Sequence, residues 1–175
     1  MTGTEEGTAE PRIAAFPIAA GVPVDTLLAG LVAALQAEGW RLAGFRQTGL
    51  ADGGMAVVAL SDGAVFGISQ ALGPGATGCR LDPRGLAAAA GAALVALDAG
   101  ADLVVLPRFG KAEAEGGGFR TVIERACACG IPALVAVRPD YAAAWEAFTG
   151  GLAQNLSPEP RALLDWCRAT LPARA

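Results

Sequence analysis

The sequence predicts a three-layer α/β/α fold built on a mostly parallel sheet with an antiparallel edge hairpin. Three observations carry that prediction. Segments with helical spacing of apolar residues alternate along the chain with short apolar runs. Two of those runs, residues 103–107 (LVVLP) and 132–137 (PALVAV), are unbroken by polar residues, as strands covered on both faces require. Between them and the first helix lie two β-patterned stretches joined at Asp62 and Gly63, a dipeptide suited to a tight hairpin.

The elements follow in order. Residues 1–11 are polar and acidic, lack a basic start followed by an apolar core, and read as a disordered leader and not a secretory signal. Residues 12–175 then form a single domain, a length suited to one core. Residues 12–16 (RIAAF) read as a strand and residues 17–23 as a loop. A helix over 24–38 places Leu27, Leu28, Leu31, Val32 and Leu35 on one face, with Gly39 as its C-cap. Residues 40–47 alternate as a strand. Asp52, Gly53 and Gly54 make a turn into the strands 55–61 and 64–69. A Gly-rich loop over 73–82 ends at Asp82 and Pro83, an N-cap and first-turn pair that starts a helix running to about residue 99. The strand at 103–107 is followed by a polar loop over 108–118, a helix over 119–128 and the strand at 132–137. Helices near 141–148 and 158–171 close the chain.

Composition excludes several functions. A net charge of −4, a pI near 4.8 and no run of Lys or Arg argue against sequence-independent binding to nucleic acid or an anionic membrane. The longest apolar stretch, residues 86–97, falls short of the ~20 residues that a membrane span needs, so no membrane insertion is expected, and the N-terminus without a secretory signal places the protein in the cytoplasm. Hydrophobic residues make up 53% of the chain, which predicts that a second copy covers some apolar surface as a homo-oligomer. The absence of His removes His-based nucleophilic catalysis and His-containing zinc sites. Cys79, Cys127, Cys129 and Cys167 contain a C-x-C but no C-x-x-C, and read as buried, reduced thiols.

The candidate binding residues lie in loops. Thr77, Gly78, Cys79 and Arg80 sit in the Gly-rich loop just before a helix start, where free amides, a helix dipole and a guanidinium suit an oxyanion. Lys111, the only Lys in the chain, follows a strand end and Gly110, the edge at which open α/β sheets bind ligands. Glu113 and Glu115 are placed to pair with Lys111 or Arg108. Arg46 and Gln47 end the second strand on the same edge, and Thr26 lies in the first turn of the first helix.

Two segments carry a family resemblance. Residues 103–137 (LVVLPRFGKAEAEGGGFRTVIERACACGIPALVAV) look like the second half of the thermophilic nucleoside-triphosphatase family, keeping Gly110, Lys111, Glu113, Phe119, Gly130 and Pro132. Residues 12–48 resemble a P-loop opening of strand, loop, helix and second strand. The resemblance therefore implies a P-loop-NTPase-like fold, yet its functional motifs depart. With Thr26 at the hydroxyl position, Ala19, Val24 and Asp25 stand where Gly, Gly and Lys cradle phosphates, and Pro107 and Arg108 replace the Asp-Glu pair. With T-G-C-R-L-D and F-G-K-x-E-A-E-G, the chain further resembles a bacterial family of unknown function encoded beside molybdate-transport genes. The lost motifs and the Gly-rich loop point to a non-hydrolytic protein that binds an oxyanion or another small anionic ligand, and the resemblance adds molybdate as that ligand and a molybdate-transport component as a partner. It leaves two alternatives open: a nucleotide-binding NTPase with an unorthodox phosphate loop, and a catalytically dead interaction module. No catalytic residue and no metal site are assigned.

Overall fold

The computed structural model describes residues 12–70 and 81–172. Its strands are β1 (Ile13–Pro17), β2 (Leu42–Gly49), β3 (Met55–Ala59), β4 (Val65–Gly67), β5 (Leu103–Phe109), β6 (Ala133–Val137) and β7 (Gln154–Asn155). They form a seven-stranded sheet in the order β4-β3-β2-β5-β6-β1-β7. All pairings from β2 through β7 are parallel, whereas β3 and β4 add an antiparallel edge. The three runs expected to lie together, 12–16, 103–107 and 132–137, are thus the adjacent strands β1, β5 and β6.

Side-chain alternation sorts the strands onto two faces. Ala14, Phe16, Leu103, Val105, Leu134 and Ala136 pack with α1 (Val24–Ala37) and α6 (Pro160–Thr170). Ala15, Phe45, Val104, Leu106, Ala133 and Val135 pack with α2 (Pro83–Asp98), α4 (Arg120–Ala128) and α5 (Ala142–Thr149). Helix α2 starts as its sequence dictates: Asp82 accepts the Arg84 amide at 3.0 Å and Pro83 occupies the first turn. Gly44 makes the close approach of β2 to β5 possible. Its φ is +102°, and a Cβ there would lie 2.0 Å from the Val105 carbonyl oxygen.

Three elements differ from the sequence reading. The expected polar loop after residue 107 begins as strand, because β5 continues through Arg108 to Phe109, and it contains a short helix, α3 (Lys111–Ala114). A two-residue edge strand, β7, pairs with β1. A 3-10 turn at Pro139–Tyr141 precedes α5. No helix among the described residues is long and apolar enough to cross a membrane.

The thiols are not uniformly buried, which corrects the sequence reading. Cys129 is exposed at the end of α4, Cys127 is half-buried and Cys167 is buried, its thiol pushed up to about 12 by burial. Cys79 lies outside the described residues. The thiolate is the reactive form, so Ellman's reagent should label Cys129 in the native protein and reach Cys167 only after unfolding. Equal native labelling rates of the two would contradict the packing of α6.

Candidate functional site

The C-terminal ends of β1, β5 and β6 reach one rim of the sheet, and a cleft of about 550 Å³ opens there. Each wall follows from an element boundary. The chain leaving β1 turns into the first residues of α1, contributing Asp25 and Thr26. Strand β2 contributes Gln47, β5 contributes Arg108, and the turn after β6 contributes Arg138 and Asp140. Helix α1 has no side-chain cap at Pro23, and among the described residues the Asp25 and Thr26 amides donate to no acceptor. The positive end of the α1 dipole therefore faces the cleft.

Arg108 is the unusual member. It keeps only 7% of its exposure, and its Nε has no hydrogen-bond acceptor among the described residues. The nearest counter-charge is Glu113 Oε1, 3.8 Å from Nε, which is an ion pair but not a hydrogen bond. Gly110 brings Arg108 and Arg138 together. A Cβ on Gly110 would lie 3.1 Å from Arg108 Nη2 and 3.2 Å from Arg138 Cδ, a tight fit in which one of the two side chains would have to give by a few tenths of an ångström.

Beneath this pair, Glu113 is fully buried. Its Oε1 accepts the Gly110 amide at 2.9 Å and its Oε2 accepts the Phe119 amide at 3.0 Å. The first contact is the N3-to-N-cap half of a capping box, and it holds the four-residue α3 in place. Gly118, with φ +57°, leaves the space that Oε2 occupies, since a Cβ would sit well inside van der Waals contact of the carboxylate.

Charge in the cleft is mixed. Asp25 and Asp140 face the same space as the two arginines, and partial burial pushes the Asp25 carboxyl up from its ordinary value of 3.8. Another hollow of about 400 Å³ lies by Trp40, Arg41 and Gly100, at the opposite rim of the sheet; its cation, Arg41, is exposed. No group of three or more potential metal ligands occurs among the described residues.

The residues singled out from the sequence separate accordingly. Thr26 and Gln47 line the cleft. Arg46, one residue before Gln47, is half-buried and falls on the other face of β2. Lys111 is exposed at the start of α3 and is not part of the cleft wall, and Glu113 lies under the wall with both oxygens engaged by amides. Thr77, Gly78, Cys79 and Arg80 lie outside the described residues. Arg138 was missed, and its signal is only positional, a cation directly after the buried run 132–137.

Residues 13–166 match the model of a family described as "Protein of unknown function (DUF2478)". The chain is 38% identical over 164 residues to the Molybdenum import ATP-binding protein ModC 2 of Bradyrhizobium diazoefficiens. That match covers 91% of this chain but spans only 18% of the relative's length. A human cancer-related nucleoside triphosphatase superposes with a TM-score of 0.63 at 21% identity, covering 94% of this chain and 100% of that one. THEP1 from the hyperthermophile Aquifex aeolicus gives a TM-score of 0.67 at 15% identity, covering 92% and 99%. These structural likenesses establish a P-loop-NTPase-like fold.

Proposed function

The chain belongs to the DUF2478 family, and on that premise we propose that it binds an oxyanion, or a small ligand that carries one, without hydrolysing nucleoside triphosphates. The observation that carries this reading is Arg108: a guanidinium more than nine-tenths buried in the wall of a cleft, which makes no side-chain hydrogen bond among the described residues. A buried cation is costly unless its hydrogen-bonding groups are engaged. An oxyanion in the cleft supplies acceptors to Arg108, Arg138 and the first-turn amides of α1 together.

The same cleft is poorly equipped for triphosphate hydrolysis. Asp25 stands in the first turn of α1 where the P-loop resemblance expects a Lys, and its charge repels a polyphosphate. Pro107 and Arg108 stand where that chemistry needs carboxylates to hold magnesium and orient water. The similarity to a molybdenum-import protein favours molybdate handling in the cytoplasm as the setting. A second reading, an interaction module within a transport assembly, draws support from the small share of that relative's length that the chain spans.

A thermal-shift panel separates these readings. Molybdate, tungstate, sulfate or phosphate should raise the unfolding midpoint, because a ligand at ~100 times its Kd stabilises by about 2.7 kcal/mol. ATP or GTP with magnesium should release no phosphate above the protein-free control. Magnesium-dependent turnover lost in Arg138→Ala would overturn the non-hydrolytic reading. A midpoint unmoved by every oxyanion and nucleotide would leave the interaction module.

A further inference from the structure

Helix α2 buries one face and leaves the other uncovered. Leu86, Ala90, Ala93 and Leu97 pack into the core, whereas Arg84, Ala87, Gly91, Val95 and Asp98 are exposed. The exposed set recurs at three- and four-residue spacing and so forms one stripe along the helix. Val95 is 71% exposed, the most exposed large apolar side chain among the described residues. No residue of the stripe lines the oxyanion cleft.

Gly91 answers no need of the protomer's own packing. Nothing lies within 4 Å of the place its Cβ would take, and its backbone is not left-handed. A helix interior favours Ala over Gly, and Ala stands on both sides of this position. A bare backbone in the middle of an exposed stripe admits a close neighbour from outside. The charges are placed symmetrically about it: Arg84 and Asp98 each stand seven residues, about two turns, away. When two copies of α2 cross antiparallel at Gly91, Arg84 of each meets Asp98 of the other. Val95 then meets Ala87 and half-buried Leu94 meets Ala88, so large side chains face small ones. A parallel pairing would set Arg84 against Arg84 and Asp98 against Asp98. Asp98 holds Arg125 within the protomer through Oδ1 at 3.3 Å, and its Oδ2 takes no hydrogen bond among the described residues.

We infer that the exposed face of α2 docks a second copy of this chain, the two helices running antiparallel about a two-fold axis at Gly91. Such an interface is isologous, so every contact occurs twice. Complementarity within one helix selects a second copy over an unrelated partner, since α2 carries both halves of each contact. A face about 21 Å long and about 10 Å wide falls well short of the ~800 Å² per partner of a standard stable complex. The dimer is therefore reversible and concentration-dependent.

Sedimentation equilibrium of the full chain, from low micromolar to near-millimolar concentration, should show a reversible monomer–dimer equilibrium. Val95→Glu, which buries a charge at the contact, and Gly91→Gln, which blocks the crossing, should each weaken it by about tenfold or more. Both positions are exposed, and Gly91→Gln should raise the unfolding midpoint of the monomer because it replaces Gly in an open helical site. Arg84→Asp and Asp98→Arg should each weaken self-association by about fivefold, through two repulsive contacts per dimer. Mixing these two variants should restore a one-to-one dimer, because each like-charged helix then meets its opposite. A wild-type chain that stays monomeric throughout would overturn the inference. So would a dimer that Val95→Glu and Gly91→Gln leave intact, or charge variants that regain nothing on mixing.

Discussion

Glu113→Ala is expected to cost about 3–5 kcal/mol of folding stability, the range for removing one partner of a buried charge pair. The substitution leaves three groups uncompensated: the Gly110 and Phe119 amides, which lose their acceptors, and Arg108, which loses its nearest counter-charge. A domain of this size is stable by only about 5–15 kcal/mol, so urea unfolding should show a midpoint far below that of the wild type. The amides close the turn between β5 and α4. Loss of their acceptor should therefore free α3, which is too short to persist without a tertiary anchor. Hydrogen exchange should show faster exchange at the Gly110 and Phe119 amides even where the remainder stays folded. Glu113→Gln retains one carbonyl oxygen for one amide but turns an NH₂ toward the other, so a smaller loss is expected. An alanine variant with unchanged midpoint would mean that Glu113 does not hold the loop.

Glu113 also marks where the sequence stopped being informative. Strands β1, β5 and β6 were legible because their apolar runs are uninterrupted, and α2 was legible because Asp82 and Pro83 mark its start. Thr26 and Gln47 were legible as cleft residues because a strand end and a first helical turn fall on one rim in a parallel sheet. The burial of Glu113 and Arg108 was not. Both lie in a segment of polar composition, and only the packing of α4 and the absence of side chains at Gly110 and Gly118 encloses them. A local signal did exist in the spacing of Gly110 and Glu113, an N-cap and N3 pair. Strand β7 left no signal, since two exposed residues carry no alternation and pair only because β1 has an open edge. Arg138 belongs to no motif, and it reaches the cleft wall as the residue directly after β6.

The two arginines should therefore divide the binding energy unequally. A hydrogen bond to a charged group contributes roughly 1.5–3 kcal/mol, and a guanidinium can make two to one oxyanion. Arg108, already desolvated, loses little hydration on binding, so Arg108→Ala should weaken sulfate or molybdate binding by about a hundredfold or more. Arg138 is exposed and competes with water, so Arg138→Ala should cost about tenfold, and that smaller effect should shrink further as salt screens it. Arg108→Lys should not restore affinity, because an ammonium is a point charge without the planar fork. Since Arg108→Ala also leaves Glu113 without its counter-charge, its fold must be checked by the unfolding midpoint before its affinity is read. Asp25 works in the opposite direction. Its carboxyl is raised by partial burial, and in its charged form it repels the ligand. Sulfate affinity should rise as pH falls through that raised pKa, above the ordinary 3.8, because protonation removes the repulsion. Asp25→Asn should bind more tightly at neutral pH and lose this dependence. Sulfate suits the titration because its own charge is constant over the range. A wild-type protein whose affinity is flat with pH, together with an Arg108→Ala variant that stays folded and binds as well as wild type, would remove the cleft as the oxyanion site.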